Sequence, residues 1–140
     1  MDYEMVLFEA VDSQGRAIYH TNVMMCLGAT FAVVCLASID DKKERKNLIK
    51  HLQEDGKKII EISEDQVNNF AGNMLQLRNN DNETVLVMSE AAYNSLTKEQ
   101  LKKLNKHNDH LLGVAIPTIE KIGGCSARCM LAEIYFPEPV

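Results

Sequence analysis

The chain has 140 residues, 46% hydrophobic and 25% charged, which suits one domain with a real core and excludes a disordered or fibrous chain. Its net charge is −5, and Asp40, Asp41 and Glu44 interleave the lysines of Lys42 to Lys46, which argues against nucleic acid as a partner. No apolar run has membrane-spanning length, and Met1-Asp2-Tyr3-Glu4 lacks the basic start of a signal peptide, so no membrane partner is expected and the expected location is cytoplasmic.

In chain order, Met5 to Val11 reads as a strand, Asp12-Ser13-Gln14-Gly15 as a turn, and Arg16 to Tyr19 as the returning strand of a hairpin. Val23 to Leu27 is a strand broken by Gly28. Phe31 to Ile39 is almost wholly apolar, the pattern of a strand buried on both faces. Asp40 or Asp41 caps a helix, and Asp41 with Glu44 three residues on resembles a capping box. Leu48, Ile49 and Leu52 form that helix's apolar stripe, and Gly56 stops it. Lys58 to Ile62 is the next strand.

The pattern then recurs. Asn73 to Leu77 is strand-like, Asn79 to Asn82 is a polar turn, and Thr84 to Met88 is an apolar strand. Ser89 caps a short helix, Thr97 with Gln100 opens another, and His110 to Ile116 is a strand again. Asn22-Val23-Met24 and Asn73-Met74-Leu75 begin matching strand–strand–helix–strand units, offset by 51 residues (73 − 22). The expectation is an α/β chain with two ββαβ modules and flanking strands, forming a single domain over 1–140.

Gly123-Gly124-Cys125-Ser126-Ala127-Arg128-Cys129-Met130 follows, expected as a glycine turn between the strand ending near Pro117 and a second over Met130 to Phe136. A cation beside a thiol favours the nucleophilic thiolate. Two readings stand: a nucleophilic cysteine on a glycine turn, or a turn with two buried cysteines. Cys26 and Cys35 lie in apolar runs and read as core. Cys125 and Cys129 are spaced C-x3-C with no paired Cys/His set, so no metal is expected. A redox pair of these two cysteines would oxidise together. Among the histidines, His51 and His107 read as solvated and His110 is open. His20, at a strand end before Thr21-Asn22, is either a strand-end cap or an acid/base group.

Gly123-Gly124…Arg128-Cys129-Met130, with His20-Thr21-Asn22-Val23-Met24-Met25 upstream, resembles the guanidino-group-modifying (pentein) superfamily, in particular its arginine-deiminase-related hydrolases labelled amidinotransferase or citrulline-utilisation hydrolase. Phe70-Ala71-Gly72-Asn73, Met88-Ser89 and Tyr93-Asn94-Ser95-Leu96-Thr97 extend the resemblance from about Phe8 to Pro137. It implies a partial α/β propeller, matching the C-terminal half of the family. It implies Cys129 as nucleophile on a guanidinium carbon and His20 as acid/base, with Asn22, Arg128 and Gly124 on the substrate side. A small guanidino or amidino substrate would give a ureido product plus ammonia or an amine, without cofactor. Many relatives carry Asp where Asn22 stands. A half-fan leaves sheet edges open, so a homodimer or a separate N-terminal half is the expected partner. The alternative is a non-catalytic binding or assembly module that retains the fold.

Overall fold

The computed structural model describes residues 5–133. Two three-stranded sheets carry the architecture. The first has the order β1 (Met25–Leu27), β2 (Phe31–Val34), β3 (Lys58–Glu61); the second has β4 (Leu75–Arg78), β5 (Thr84–Ser89), β6 (His110–Val114). In each, the first two strands are antiparallel and the last two parallel. Val33 is the hinge of one register, opposite Cys26 and Ile60; Val87 is its counterpart, opposite Leu75 and Leu112. A parallel pair needs a crossover. Helix α2 (Lys42–Glu54) supplies the first; α4 (Glu90–Ser95) and α5 (Lys98–Leu104) supply the second. The two ββαβ units expected from the 51-residue offset are therefore present.

One core runs through both units. It includes Met24, Phe31, Val33, Ile60, Leu86, Met88 and Leu104. All four residues of β2 are buried, as an apolar run between two partners requires. That strand ends at Val34 rather than continuing to Ile39. Beyond Met25 the antiparallel partner gives way to a helical turn, so past the Cys35 N–H to Met24 O bond at 2.9 Å the chain enters a 3-10 turn over Leu36–Ser38.

The start of the first unit differs from expectation. Thr21–Met24 forms a single helical turn, α1, where the apolar pattern reads as strand. The hairpin expected over Met5 to Tyr19 keeps its turn, with Gly15 N–H donating to Asp12 O at 2.9 Å and Gly15 at φ 73°. Its arms pair through one bridge, Val11 with Ala17, and form no strand. Asp41 caps α2 by accepting from Lys43 N and Glu44 N, but Glu44's carboxylate accepts from Glu9 N at 2.8 Å and so ties down the N-terminal segment instead of closing a capping box.

A short helix not expected from the pattern, α3 (Glu64–Asn68), opens with a capping box of Ser63 and Gln66. Thr97 and Gln100 form the same device on α5. The two capping glutamines also bond each other: Gln66 Nε2 donates to Gln100 Oε1 at 2.7 Å, and Gln100 Nε2 donates to Gln66 Oε1 at 3.0 Å. Gln100 Nε2 also donates to Glu61 O at the end of β3, so this amide pair joins the first unit to the second.

After β6 the chain does not stay extended to Pro117. Pro117 opens helix α6 (Pro117–Gly123), a position that suits its fixed φ and missing N–H. Gly124, at φ 60°, ends the helix in the left-handed conformation that glycine tolerates. A 3-10 turn over Ala127–Met130 follows and packs against β5. The Gly-Gly-Cys stretch therefore lies between two helical turns rather than two strands. The strand expected over Met130 to Phe136 lies mostly outside the described residues.

Candidate active site

The cysteine-bearing turn is fixed by one buried side chain, Asn73. Its Oδ1 accepts from Arg128 N at 3.0 Å. Its Nδ2 donates to Asn22 O at 3.0 Å and to Cys129 Sγ at 3.3 Å. Asn22 Nδ2 donates to the same sulfur at 3.6 Å. Asn22 and Asn73, which begin the two repeated units, thus converge on one atom. N–H donors favour a sulfur that carries negative charge.

Backbone packing explains how Asn73 reaches this place. A Cβ on Gly72 would collide with the Val23 carbonyl oxygen and stand 2.8 Å from the Met24 carbonyl carbon. Only glycine allows the segment before β4 to lie this close to α1. Phe70, at φ 64°, makes the turn into that approach. The same contact explains α1: Val23 N donates to His20 O at 3.0 Å while Asn73 holds Asn22 O, and this tertiary clamp overrides the strand preference of the sequence.

Cys129, His20 and Gly124 line one cavity of about 420 Å³, together with Asn73, Cys125 and Asp12. His20 is exposed and precedes α1 with extended backbone angles, at the point where the chain turns. Asp12 was expected only as a turn residue. Its carboxylate is the single acidic group among the described lining residues. The Arg16 N–H beside it, reinforced by the Arg16 side chain at 2.7 Å and by the Gln14 N–H, holds its pKa below the usual carboxylate value. Asp12 is therefore an anion at neutral pH.

Arg128 and the Asn22 side chain line a second cavity of about 480 Å³ on the Cys26 side. The Arg128 guanidinium is thus not in the cavity shared by Cys129 and His20; the residue reaches that site through its main-chain N–H. Cys129 and Cys125 form a disulfide. Cys26 and Cys35 are free and buried, as expected. Burial pushes the Cys26 thiol up to about 12, with the Val33 N–H and the Arg128 charge offsetting part of the rise. A thiol in that state is unreactive. His107, expected in solvent, is half-buried, shares a 2.8 Å hydrogen bond with Thr30 Oγ1 and has its ring 5.6 Å from that of Phe31. Among the described residues, no three His, Cys, Asp or Glu side chains converge as a metal site, and no helix is long and apolar enough to cross a membrane.

The family model of eukaryotic N,N dimethylarginine dimethylhydrolase matches residues 1–136. The chain belongs to this family. It is thereby a pentein, as its sequence pieces indicate. Solved structures share the fold of this dimethylhydrolase-family chain at low identity. The apo structure of ArgZ, an arginine dihydrolase from the ornithine-ammonia cycle in cyanobacteria, is 16% identical with a TM-score of 0.67, covering 94% of this chain and 19% of that one. The N-terminal domain of ArgZ bound to product is 17% identical with a TM-score of 0.61, covering 86% and 38%. AgrE in a ternary complex with ornithine and NAD+ is 16% identical with a TM-score of 0.64, covering 92% and 17%. The chain thus spans less than two-fifths of each of these structures, and its two sheets are a partial pentein fold. No curated protein matches it.

The site residue that sequence reasoning passed over is Asn73. Its signal was available in the 51-residue offset, which pairs it with Asn22.

Proposed function

We propose that the chain carries the cysteine–histidine part of a guanidino-group hydrolase site. The observation that supports this reading is the cavity shared by Cys129 and His20, with two asparagine amides directed at the sulfur. In the reduced protein the Cys129 thiolate attacks the guanidinium carbon of an arginine-like substrate. His20 protonates the departing amine or ammonia, then takes a proton from water as it attacks the same carbon. The carbon–sulfur bond breaks, leaving a ureido product and the thiolate. Asn73 and Asn22 steady the sulfur's negative charge. Asp12 supplies an anion for the guanidinium, and Gly124 keeps the rim free of a side chain. Arg128 fixes the turn through its N–H. Amidino transfer to an amine instead of water uses the same first step.

The partner in this reading is a second copy or a separate chain carrying the rest of the fold. The exposed side chains of Leu112 and Val114 on the outer strand β6 and of Ile122 on α6 support it. Sedimentation showing a stable monomer at micromolar concentration would count against that partner. Two buried free thiols favour a cytoplasmic location.

Chloroacetamidine, which joins an amidinium head to an electrophile, tests the site. With the protein reduced, labelling is expected at Cys129 ahead of Cys26, Cys35 and Cys125, and His20→Ala is expected to slow it. Labelling spread over several cysteines at one slow rate would favour the non-catalytic module.

A further inference from the structure

The disulfide seals the sulfur that the proposed chemistry requires. From its setting we infer that Cys125 is a resolving thiol: a peroxide converts Cys129 and Cys125 into a disulfide that switches the site off, and a dithiol switches it on again. This inference rests on the reading of Cys129 as the nucleophile.

The two thiols are held together by bonds that do not depend on the disulfide. Ser126 Oγ donates to Glu120 Oε1 on α6 at 2.8 Å, Arg128 N donates to Asn73 Oδ1 at 3.0 Å, and Cys129 N donates to Ser126 O at 3.1 Å. Together they fix residues on both sides of the turn. The Cα atoms of Cys125 and Cys129 lie 6.3 Å apart, inside the range a disulfide spans. The link closes a loop with a sequence separation of only 4, where cross-linking restricts the unfolded chain least. A structural staple gains little here, whereas a switch needs only that the pair meet.

Access and reactivity sort the four cysteines the same way. Cys129 is exposed and Cys125 half-buried, while Cys26 and Cys35 are buried. Oxidation is therefore confined to one pair. Cys129 also receives the two asparagine amides, which favour thiolate, the form that peroxide oxidises.

The electrons balance in two steps. The Cys129 thiolate attacks one peroxide oxygen, the O–O bond breaks, and hydroxide leaves and is protonated to water. The sulfur is then a sulfenic acid, oxidised by two electrons. The Cys125 thiolate attacks that sulfur, the S–S bond forms, the S–O bond breaks, and hydroxide leaves and takes a proton from solvent to become a second water. A dithiol reductant returns two electrons and two protons and is itself oxidised to a disulfide.

The experiment uses the full chain, reduced with dithiothreitol, desalted and treated with hydrogen peroxide. Trypsin cuts after Lys121 and Arg128, so the two cysteines fall on separate peptides, 122–128 and 129–140. The expected product is those two peptides joined, with loss of chloroacetamidine labelling at Cys129 and recovery of both on adding dithiothreitol. In Cys125→Ser, peroxide is expected to leave Cys129 as a sulfenic acid that dimedone traps, and excess peroxide to carry it to a form dithiothreitol cannot recover. Absence of the joined peptides, or equal irreversible loss in wild type and Cys125→Ser, would overturn the switch. Failure of the guanidino reading looks different: reduced Cys129 would then show no preference for chloroacetamidine over iodoacetamide, while the joined peptides still report on the disulfide.

Discussion

The two ββαβ units share strand order, pairing and crossover, yet they treat the same position differently. Asn73 is buried, and its amide bonds Asn22 O at α1 and both Arg128 N and Cys129 Sγ on the cysteine turn. Asn22, at the matching place in the first unit, is half-buried and meets the sulfur at the longer distance of 3.6 Å. The outer strands differ too: Ile60 of β3 is buried, whereas β6 is exposed along most of its length. Repetition brings like residues to one point, and the environment then decides which becomes the fixed anchor and which a second donor. The second unit anchors the site; the segment leading into the first supplies its histidine.

Removing the close approach should have the largest effect. Gly72→Ala sets a Cβ against Val23 and Met24 backbone, which cannot yield as a flexible side chain would. Overpacking of this kind costs about 3 kcal/mol, and urea unfolding should show it. The strand preference of Val23 and Met24 would no longer be overruled, so labelling of reduced Cys129 should fall as well. Unchanged stability would mean that the segment before β4 does not clamp α1.

The asparagines come next. Asn73→Ala leaves Asn22 O and Arg128 N without their partner, and an unsatisfied buried group costs about 2 kcal/mol. Asn22→Ala removes one long amide contact from a half-buried site and should cost less than about 1 kcal/mol. The same order is expected in chloroacetamidine labelling of the reduced protein. Equal losses in the two variants would break the distinction between anchor and second donor.

Much of this was legible in the residues. The 51-residue offset carried the module topology, and Asp41 and Thr97 with Gln100 marked two helix starts because a capping oxygen and its N–H partners are local in sequence. Helix α3 was not seen, although Ser63 and Gln66 spell a capping box; five residues are too few for a 3.6-residue period to show. Met5 to Val11 and Arg16 to Tyr19 carry strand composition, but strands need partners along their length and these find one bridge. Arg128 lines a different cavity from Cys129 for a geometric reason. In a turn with 3.0 residues per revolution, neighbours point about 120° apart, so the guanidinium next to Cys129 in sequence lies on the other side of the turn. The 51-residue offset marks the position of Asn73 but not its bonds, because its partners come from α1 and from the cysteine turn, both distant in sequence.

The smallest expected effect separates the two parallel strand pairs by pH. The β2–β3 pair opens with neutral backbone groups, Lys58 N–H donating to Thr30 O at 3.0 Å. The β5–β6 pair opens on a carboxylate: Asp109 Oδ2 accepts from Thr84 N at 2.7 Å and from Thr84 Oγ1 at 2.8 Å. Those bonds, the backbone N–H first, hold the Asp109 pKa below its ordinary 3.8. Asn79's amide, followed by His110, lowers that of neighbouring Glu83 from 4.5. A lowered folded pKa means that the unfolded chain binds the proton more readily, so the stabilisation is present above the ordinary values and is lost as pH falls through the folded ones. Both carboxylates are exposed, and salt screens them, so the change is modest. Amide exchange followed by NMR from pH 6 down to pH 3, corrected for the intrinsic pH dependence, should show β5–β6 losing protection before β2–β3. Asp109→Asn should narrow that gap, since an amide cannot gain the proton. If both pairs lose protection together in the wild type, the carboxylate does not distinguish the units, and the difference between them is confined to the asparagine positions and the exposed outer strand.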